Sequence, residues 1–91
     1  MSSMKVMNPR LRWFVKEMQS KLRLNLYKTD ARHLSRRAIK GLLNHEVDEL
    51  SVALREEWFH ADMIIKECAD IANYAMMLAD KVYYQKKKGN K

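Results

Sequence analysis

The residues best suited to chemistry in this sequence are four carboxylates that occur as two pairs. Glu46 and Glu49 form the first pair. Glu67 and Asp70 form the second, with the same spacing of three residues. On a helix this spacing places both members of a pair on one face, about 5–6 Å apart at Cβ. Carboxylates that converge repel one another, and a hard divalent cation relieves that repulsion. The pairs therefore predict a metal site shared by all four side chains, which are also the predicted catalytic residues.

The cation expected at such a site is Mg²⁺, with Mn²⁺ as an alternative. Mg²⁺ prefers a few carboxylates together with waters and substrate phosphates. Bound in this way, it polarises a phosphate and can orient or acidify a water for attack, which predicts hydrolysis of a phosphoanhydride. The second pair lies in a strongly apolar stretch, residues 64–79, where an uncompensated acid is costly. The first pair taken alone is equally compatible with ordinary solvated charges.

Helices must position these pairs, because the chain has only two glycines and one proline and is rich in helix-forming residues. The fold class is therefore predicted to be all-α, with three main helices. The first helix should begin at Pro9, capped by Asn8, and end near Tyr27. The second should begin near Ala31 or Leu34, with Thr29 or Asp30 as its cap.

The second helix is predicted to end near Trp58. The third should begin at Met63 if Asp62 caps it, or nearer Trp58, and should end near Tyr84. If these two helices pack antiparallel, the two acidic pairs can face each other. Gly41, inside the second helix, suggests a close approach of a neighbouring helix. The apolar line of the second helix is predicted to consist of Ile39, Leu43, Val47, Leu50 and Leu54.

The third helix is apolar around much of its circumference, because small residues and a methionine form a second face: Ala69, Ala72, Met76 and Ala79. A helix of that kind is buried on more than one side. One chain offers only two partner helices, so a second subunit is expected to cover the remainder. The bundle is therefore predicted to be completed by dimerisation or a higher homo-oligomer.

The chain is predicted to be one domain, residues 1–85, followed by a basic tail, residues 86–91, that is expected to be disordered. The single cysteine, Cys68, excludes an intramolecular disulfide and fits a reducing compartment. No apolar run approaches the length of a membrane span, and the N-terminal segment lacks the apolar core of a secretory signal. We therefore expect a cytoplasmic protein without a membrane partner.

The sequence resembles the MazG-like all-α nucleoside triphosphate pyrophosphohydrolases over about residues 14–82. The family motif is a glutamate pair (ExxE) on one helix and a Glu-Asp pair (ExxD) on the next. The segments LLNHEVDELSVAL and KECADIANYAMMLAD are similar to the two motif helices of its small phage-type and bacterial members. The lead-in segment is similar at Lys21-Leu22, Asn25 and Lys28.

This resemblance implies a helical bundle completed by dimerisation. It also implies an enzyme that hydrolyses an NTP or dNTP to the monophosphate and pyrophosphate with Mg²⁺. By resemblance the four carboxylates would be the metal ligands. Lys28 and Asn73 would be candidates for contacting the nucleotide or its phosphates.

An alternative function follows from the charge distribution. Residues 1–45 carry eleven Lys and Arg and two acids, residues 46–80 carry two Lys and Arg and nine acids, and residues 81–91 add five lysines. The basic first half could make the protein a non-catalytic helical module that binds nucleic acid or a protein partner through salt-sensitive contacts. A solvated basic face is the plainer interpretation, since the aromatic residues are not interleaved with the charges.

Overall fold

In a computed structural model of the protein, residues 7–24, 34–56 and 60–89 are described. Within these ranges the chain forms three α-helices and no strand: α1, Pro9–Leu24; α2, Arg36–Arg55; and α3, Ala61–Gly89. The prediction of an all-α chain with three helices is confirmed. Across the same ranges, none of the helices combines the length and the apolar character that crossing a membrane requires.

Helix α1 begins as predicted. The Asn8 side-chain oxygen accepts a hydrogen bond from the backbone N–H of Arg10 at 2.8 Å, and Pro9 occupies the first helical position, where its missing N–H costs nothing. The helix ends at Leu24, and the end predicted near Tyr27 lies outside the described residues.

Helix α2 begins later than either predicted start. The side chain of Ser35 caps it by accepting a hydrogen bond from the N–H of Ala38 at 3.0 Å, and Ser35 itself has extended backbone angles. This is the usual geometry of a serine N-cap. The predicted starts at Ala31 and Leu34 are therefore wrong, because Ser35 rather than Thr29 or Asp30 supplies the cap. The predicted end at Trp58 lies outside the described residues, and the helix ends at Arg55.

Helix α3 begins at Ala61, between the two starts that the sequence left open, so Asp62 lies in the first turn and does not cap a helix starting at Met63. It continues to Gly89 rather than ending near Tyr84, because only helix-forming glutamine and lysines follow the tyrosine before the glycine. Of the predicted tail, residues 86–89 are helical and the last two residues are not described. The division into a domain and a tail stays a prediction.

Helix α3 packs against both other helices. Asn73 of α3 contacts Met18 of α1, and one turn earlier Asp70 contacts Lys21, so the contact partners run in opposite directions along the two helices. On α2, Glu46 lies beside Glu67, and residues near the end of α2 line a groove with the start of α3. Both α1 and α2 are therefore antiparallel to α3. The two helices that carry the acidic pairs are thus antiparallel, which is the condition under which the pairs were expected to face each other.

The least exposed positions of α2 coincide only in part with the predicted apolar line. They alternate in steps of four and three residues: Ile39, Leu43, Glu46, Leu50 and Ala53. Val47 and Leu54, which the sequence placed in the core, are 41% and 61% exposed. A stripe with this spacing is the one that faces a partner helix. Glu46 therefore occupies a position in the helix contact itself.

The third helix is buried as a broad band whose centre is Ala69 and Asn73. On its second predicted face, Ala69 is buried and Ala72 is half-buried, but Met76 and Ala79 are exposed in the single chain. The expected burial on more than one side is thus incomplete within one subunit. The apolar surface that remains is available to another molecule.

Gly41 is exposed, and a Cβ built on it meets nothing within 4 Å. The close approach predicted from this glycine is therefore absent among the described residues of the single chain. The glycine retains only its intrinsic cost in a helix.

Replacing Gly41 by alanine should stabilise the protein by about 1 kcal/mol, because alanine loses less backbone entropy in a helix and nothing obstructs its methyl group. Urea unfolding followed by circular dichroism measures the change. Ser51→Gly, at another exposed position of α2, should shift the unfolding midpoint in the opposite direction. A Gly41→Ala variant that is less stable than the parent would show that this position is in contact in an assembly.

Candidate metal centre

Glu46 is the centre of an acidic cluster between α2 and α3. Its side chain is half-buried in the helix contact, with Glu67 and Asp70 half-buried on the facing helix. Burial, then the charge of Glu67 and a hydrogen bond with its side chain, raise the pKa of Glu46 from 4.5 to about 8, with further contributions from the charges of Asp70 and Glu49. The structure thus brings the other three predicted site residues within electrostatic range of Glu46.

The hydrogen bond between Glu46 and Glu67 requires a proton, since two ionised carboxylates have only acceptors. The Oε2 atom of Glu67 is nevertheless buried and has no hydrogen-bond partner among the described residues. A buried oxygen in that condition costs free energy of about 1–3 kcal/mol or more. A shared proton or a bound cation would remove the cost.

Asn73 is the most buried polar residue in the described part of the chain, at 4% exposure. Its Nδ2 atom donates a hydrogen bond to the backbone carbonyl of Met18 at 3.0 Å. Its Oδ1 atom is buried and has no partner among the described residues. Asn73, predicted to contact substrate, therefore joins α3 to α1 one turn beyond Asp70, and its free acceptor lies in the interior.

Asp70 is held by a lysine that the sequence analysis assigned no role. The Nζ atom of Lys21, on α1, lies 3.3 Å from Oδ2 of Asp70, and the two side chains are only 20% and 16% exposed. Lysine is uncommon at such low exposure without a paired acid. The ion pair partly neutralises the cluster on the side of α1.

A second set of ligand atoms lies on the solvent side of Glu46. One atom each from His45, Glu46 and Glu49 lies within 4.8 Å of the other two. The Nε2 atom of His45 is 3.4 Å from Oε1 of Glu49, and both side chains are largely exposed. His45 was not among the residues predicted to form the site. The signal that could have identified it is the spacing of four residues between His45 and Glu49, which places both on one face.

The four carboxylates do not form one compact set of ligand atoms in the metal-free chain. Within the described ranges, neither Glu67 nor Asp70 belongs to the group formed by His45, Glu46 and Glu49. Mutual repulsion keeps like charges apart when nothing neutralises them, and Asp70 is engaged by Lys21. Rotation of side chains on fixed helices would be needed for all four to contact one ion.

Two further residues bear on the site. Burial, followed by the charges of Glu46 and Asp70, raises the pKa of Tyr74, so its phenol is neutral beside the acidic cluster. Tyr74 follows Asp70 by four residues and Glu67 by seven, a spacing that the sequence analysis did not use. Lys28, the other predicted substrate contact, lies outside the described residues.

A groove of about 370 Å³ continues from the acidic cluster toward the turn between α2 and α3. Glu49 and Glu67 line the end of the groove nearest the cluster, and Val52, Ala53 and Met63 supply apolar walls. Glu56 and His60 line the remainder. The groove was not predicted from the sequence, because it exists only between packed helices.

Comparison of the chain with models of protein families, with curated proteins and with solved structures found no match in any of the three.

The raised pKa of Glu46 predicts a pH-dependent stability. The folded state retains a proton that the unfolded chain releases, so stability conferred by that proton should be lost as the pH rises from 4.5 to about 8. Thermal unfolding midpoints measured in EDTA should therefore fall over this range. Glu46→Gln should flatten the fall, whereas Asp48→Asn, at an exposed acid on the same helix, should leave it intact. A midpoint that rises over this range in the parent protein would contradict the assignment.

Proposed function

We propose that the protein is a Mg²⁺-dependent nucleotide pyrophosphohydrolase that cleaves an NTP or dNTP to the monophosphate and pyrophosphate. The observation that carries the proposal is the position of Glu46. Its carboxyl lies in the contact between two helices, beside a second carboxyl with a buried unpartnered oxygen and close to two more acids. Such a cluster is unfavourable as four free anions and suits a bound divalent cation.

The donor set fits the proposed cation. Glu46, Glu49, Glu67 and Asp70 offer carboxylate oxygens, which hard cations such as Mg²⁺ and Mn²⁺ prefer, and the buried Oε2 of Glu67 lacks a partner that a cation would provide. When bound, the cation would polarise a substrate phosphate and lower the pKa of a water. The four carboxylates would hold and orient it, and the unpaired carboxylate oxygens would accept a proton from the attacking water.

The resemblance to the MazG-like pyrophosphohydrolases supports the same proposal. The two acidic pairs occur in the family's order, and the structure places them on consecutive antiparallel helices, α2 and α3. The groove beyond Glu49 and Glu67 offers apolar side chains next to the carboxylates. We assign it to the nucleoside, because a nucleotide joins an anionic end that needs the cation to a flat base that needs apolar contact.

We further propose that two chains form a homodimer. Exposed apolar side chains occur on all three helices, among them Trp13 on α1, Leu54 on α2 and Met76 on α3. Only two apolar side chains in the described part, Ile39 and Ala69, are fully buried. A core this small is marginal for a chain of this length, and association is a common remedy.

The catalytic prediction concerns the two carboxylates of α3. Glu67→Gln and Asp70→Asn should each abolish Mg²⁺-dependent pyrophosphate release from a panel of NTPs and dNTPs, because each removes a charged metal ligand. Helical content, measured by circular dichroism, should be unchanged. Asp62→Asn, at an exposed acid of the same helix, is the matched control and should retain full turnover.

Full turnover by both α3 variants would show that the assigned site is wrong. Salt-sensitive binding of DNA or RNA, without hydrolysis of any nucleotide by the parent protein, would instead favour the alternative of a basic binding module. Arg10, Arg12 and Lys16 of α1 are exposed and could contact phosphates, so this binding would be detected by its dependence on salt.

The assembly prediction concerns the exposed second face of α3. Met76→Lys should convert the dimer to a monomer in sedimentation experiments, because it places a charge in an apolar interface. Ser51→Lys, at an exposed polar position, should leave the dimer intact. A parent protein that sediments as a monomer at all concentrations tested would contradict the proposed dimer.

A further inference from the structure

We propose that Lys21 is an exchangeable counter-ion of the acidic cluster: it neutralises Asp70 in the metal-free chain and contacts the substrate phosphates once a divalent cation has taken its place. This inference rests on the proposed function and deepens it. It assigns a positioning residue on α1, a helix from which the sequence analysis drew no described site residue.

The contact itself is the first observation. The ammonium group of Lys21 lies 3.3 Å from Oδ2 of Asp70, and both side chains are at least four-fifths buried. Asp70 is one of the four predicted metal ligands, so the lysine and a cation would compete for the same carboxylate. An ammonium group is a compact charge on a flexible stem, which allows it to leave one anion for another nearby.

The second observation is that α1 is fixed beside the cluster independently of this ion pair. Asn73, which is almost fully buried, donates a hydrogen bond to the carbonyl of Met18, one turn before Lys21. The backbone of Lys21 is therefore held close to α3 while its side chain can reorient. The helix contact does not depend on the lysine remaining on Asp70.

The charges of the site favour the exchange. A cation bound among the carboxylates would offset the negative potential that holds the ammonium and would add a repulsive charge. The triphosphate that follows brings several negative oxygens, and lysine is a common ligand of such groups. Movement of Lys21 from Asp70 to a phosphate would then keep every charge partnered in both states.

A purely structural ion pair is the competing interpretation. It predicts that loss of Lys21 weakens the protein and every ligand alike. The exchange predicts opposite effects on two ligands, since removal of a competitor strengthens binding of the cation while loss of a phosphate contact weakens binding of the nucleotide.

The experiment compares Lys21→Gln, Lys21→Met and Lys21→Arg with Lys16→Gln, which removes an exposed charge from the same helix. Calorimetry with MgCl₂ alone gives cation affinity. Steady-state kinetics on the nucleotide that the parent protein turns over fastest gives KM and kcat. We expect the two neutral variants to bind Mg²⁺ more tightly than the parent, with KM raised about ten- to hundredfold by loss of a charged hydrogen bond. Lys21→Arg should restore KM in large part, and Lys16→Gln should change neither quantity.

Weaker or unchanged Mg²⁺ binding in both neutral variants would overturn the counter-ion role. An unchanged KM would overturn the phosphate contact. If the parent protein binds Mg²⁺ but turns over no nucleotide, the proposed function fails and the phosphate contact fails with it. The calorimetric comparison then still decides whether Lys21 competes with the cation. If a neutral variant does not fold, Lys21→Arg can still be compared with the parent, and its cation affinity should stay near that of the parent.

Discussion

The rest of this structure depends on the burial of one carboxyl group, that of Glu46, among other carboxyl groups. Glu46 stands where the contact stripe of α2 requires a side chain that faces α3, and the side chains it meets there include Glu67 and Asp70. An apolar residue at that position would strengthen the bundle. The carboxyl weakens it when ionised, because burial and the neighbouring acids raise the pKa of Glu46 to about 8. The protonation of Glu46 and the stability of the fold are consequently linked at this point.

Helix α3 carries the polar side chains that contact both of the other helices. Toward α2 it presents Glu67, and toward α1 it presents Asp70 and Asn73. The small apolar core gives little stability in reserve, so the polar contacts of α3 contribute a large share of what orders the bundle. Lys21 partly neutralises these acids from the side of α1, and the cation proposed above would do so from the solvent side.

The sequence predicted the elements well, and it predicted the side-chain environment less well. Helical composition and the Asn8-Pro9 start were sufficient for three helices and for the first boundary. The apolar line of α2 was wrong at Val47 and Leu54, because hydrophobicity alone does not say which stripe a partner helix will cover. The i,i+3 spacing identified the acidic pairs. The lysine could not be found in this way, since its contact with Asp70 spans two helices and depends on their register.

The burial of the acidic residues also bears on which cation suits the site. Exposure falls from Glu49 and His45 at the surface, through Glu46, to the buried Oε2 of Glu67. The imidazole, which favours softer transition metals, is confined to the exposed end, and the deeper donors are all carboxylate oxygens. An ion bound against Glu67 would meet hard oxygen ligands there. For the metal centre proposed above, that arrangement would favour Mg²⁺ or Mn²⁺ over zinc, because the inner position offers no nitrogen or sulfur donor among the described site residues.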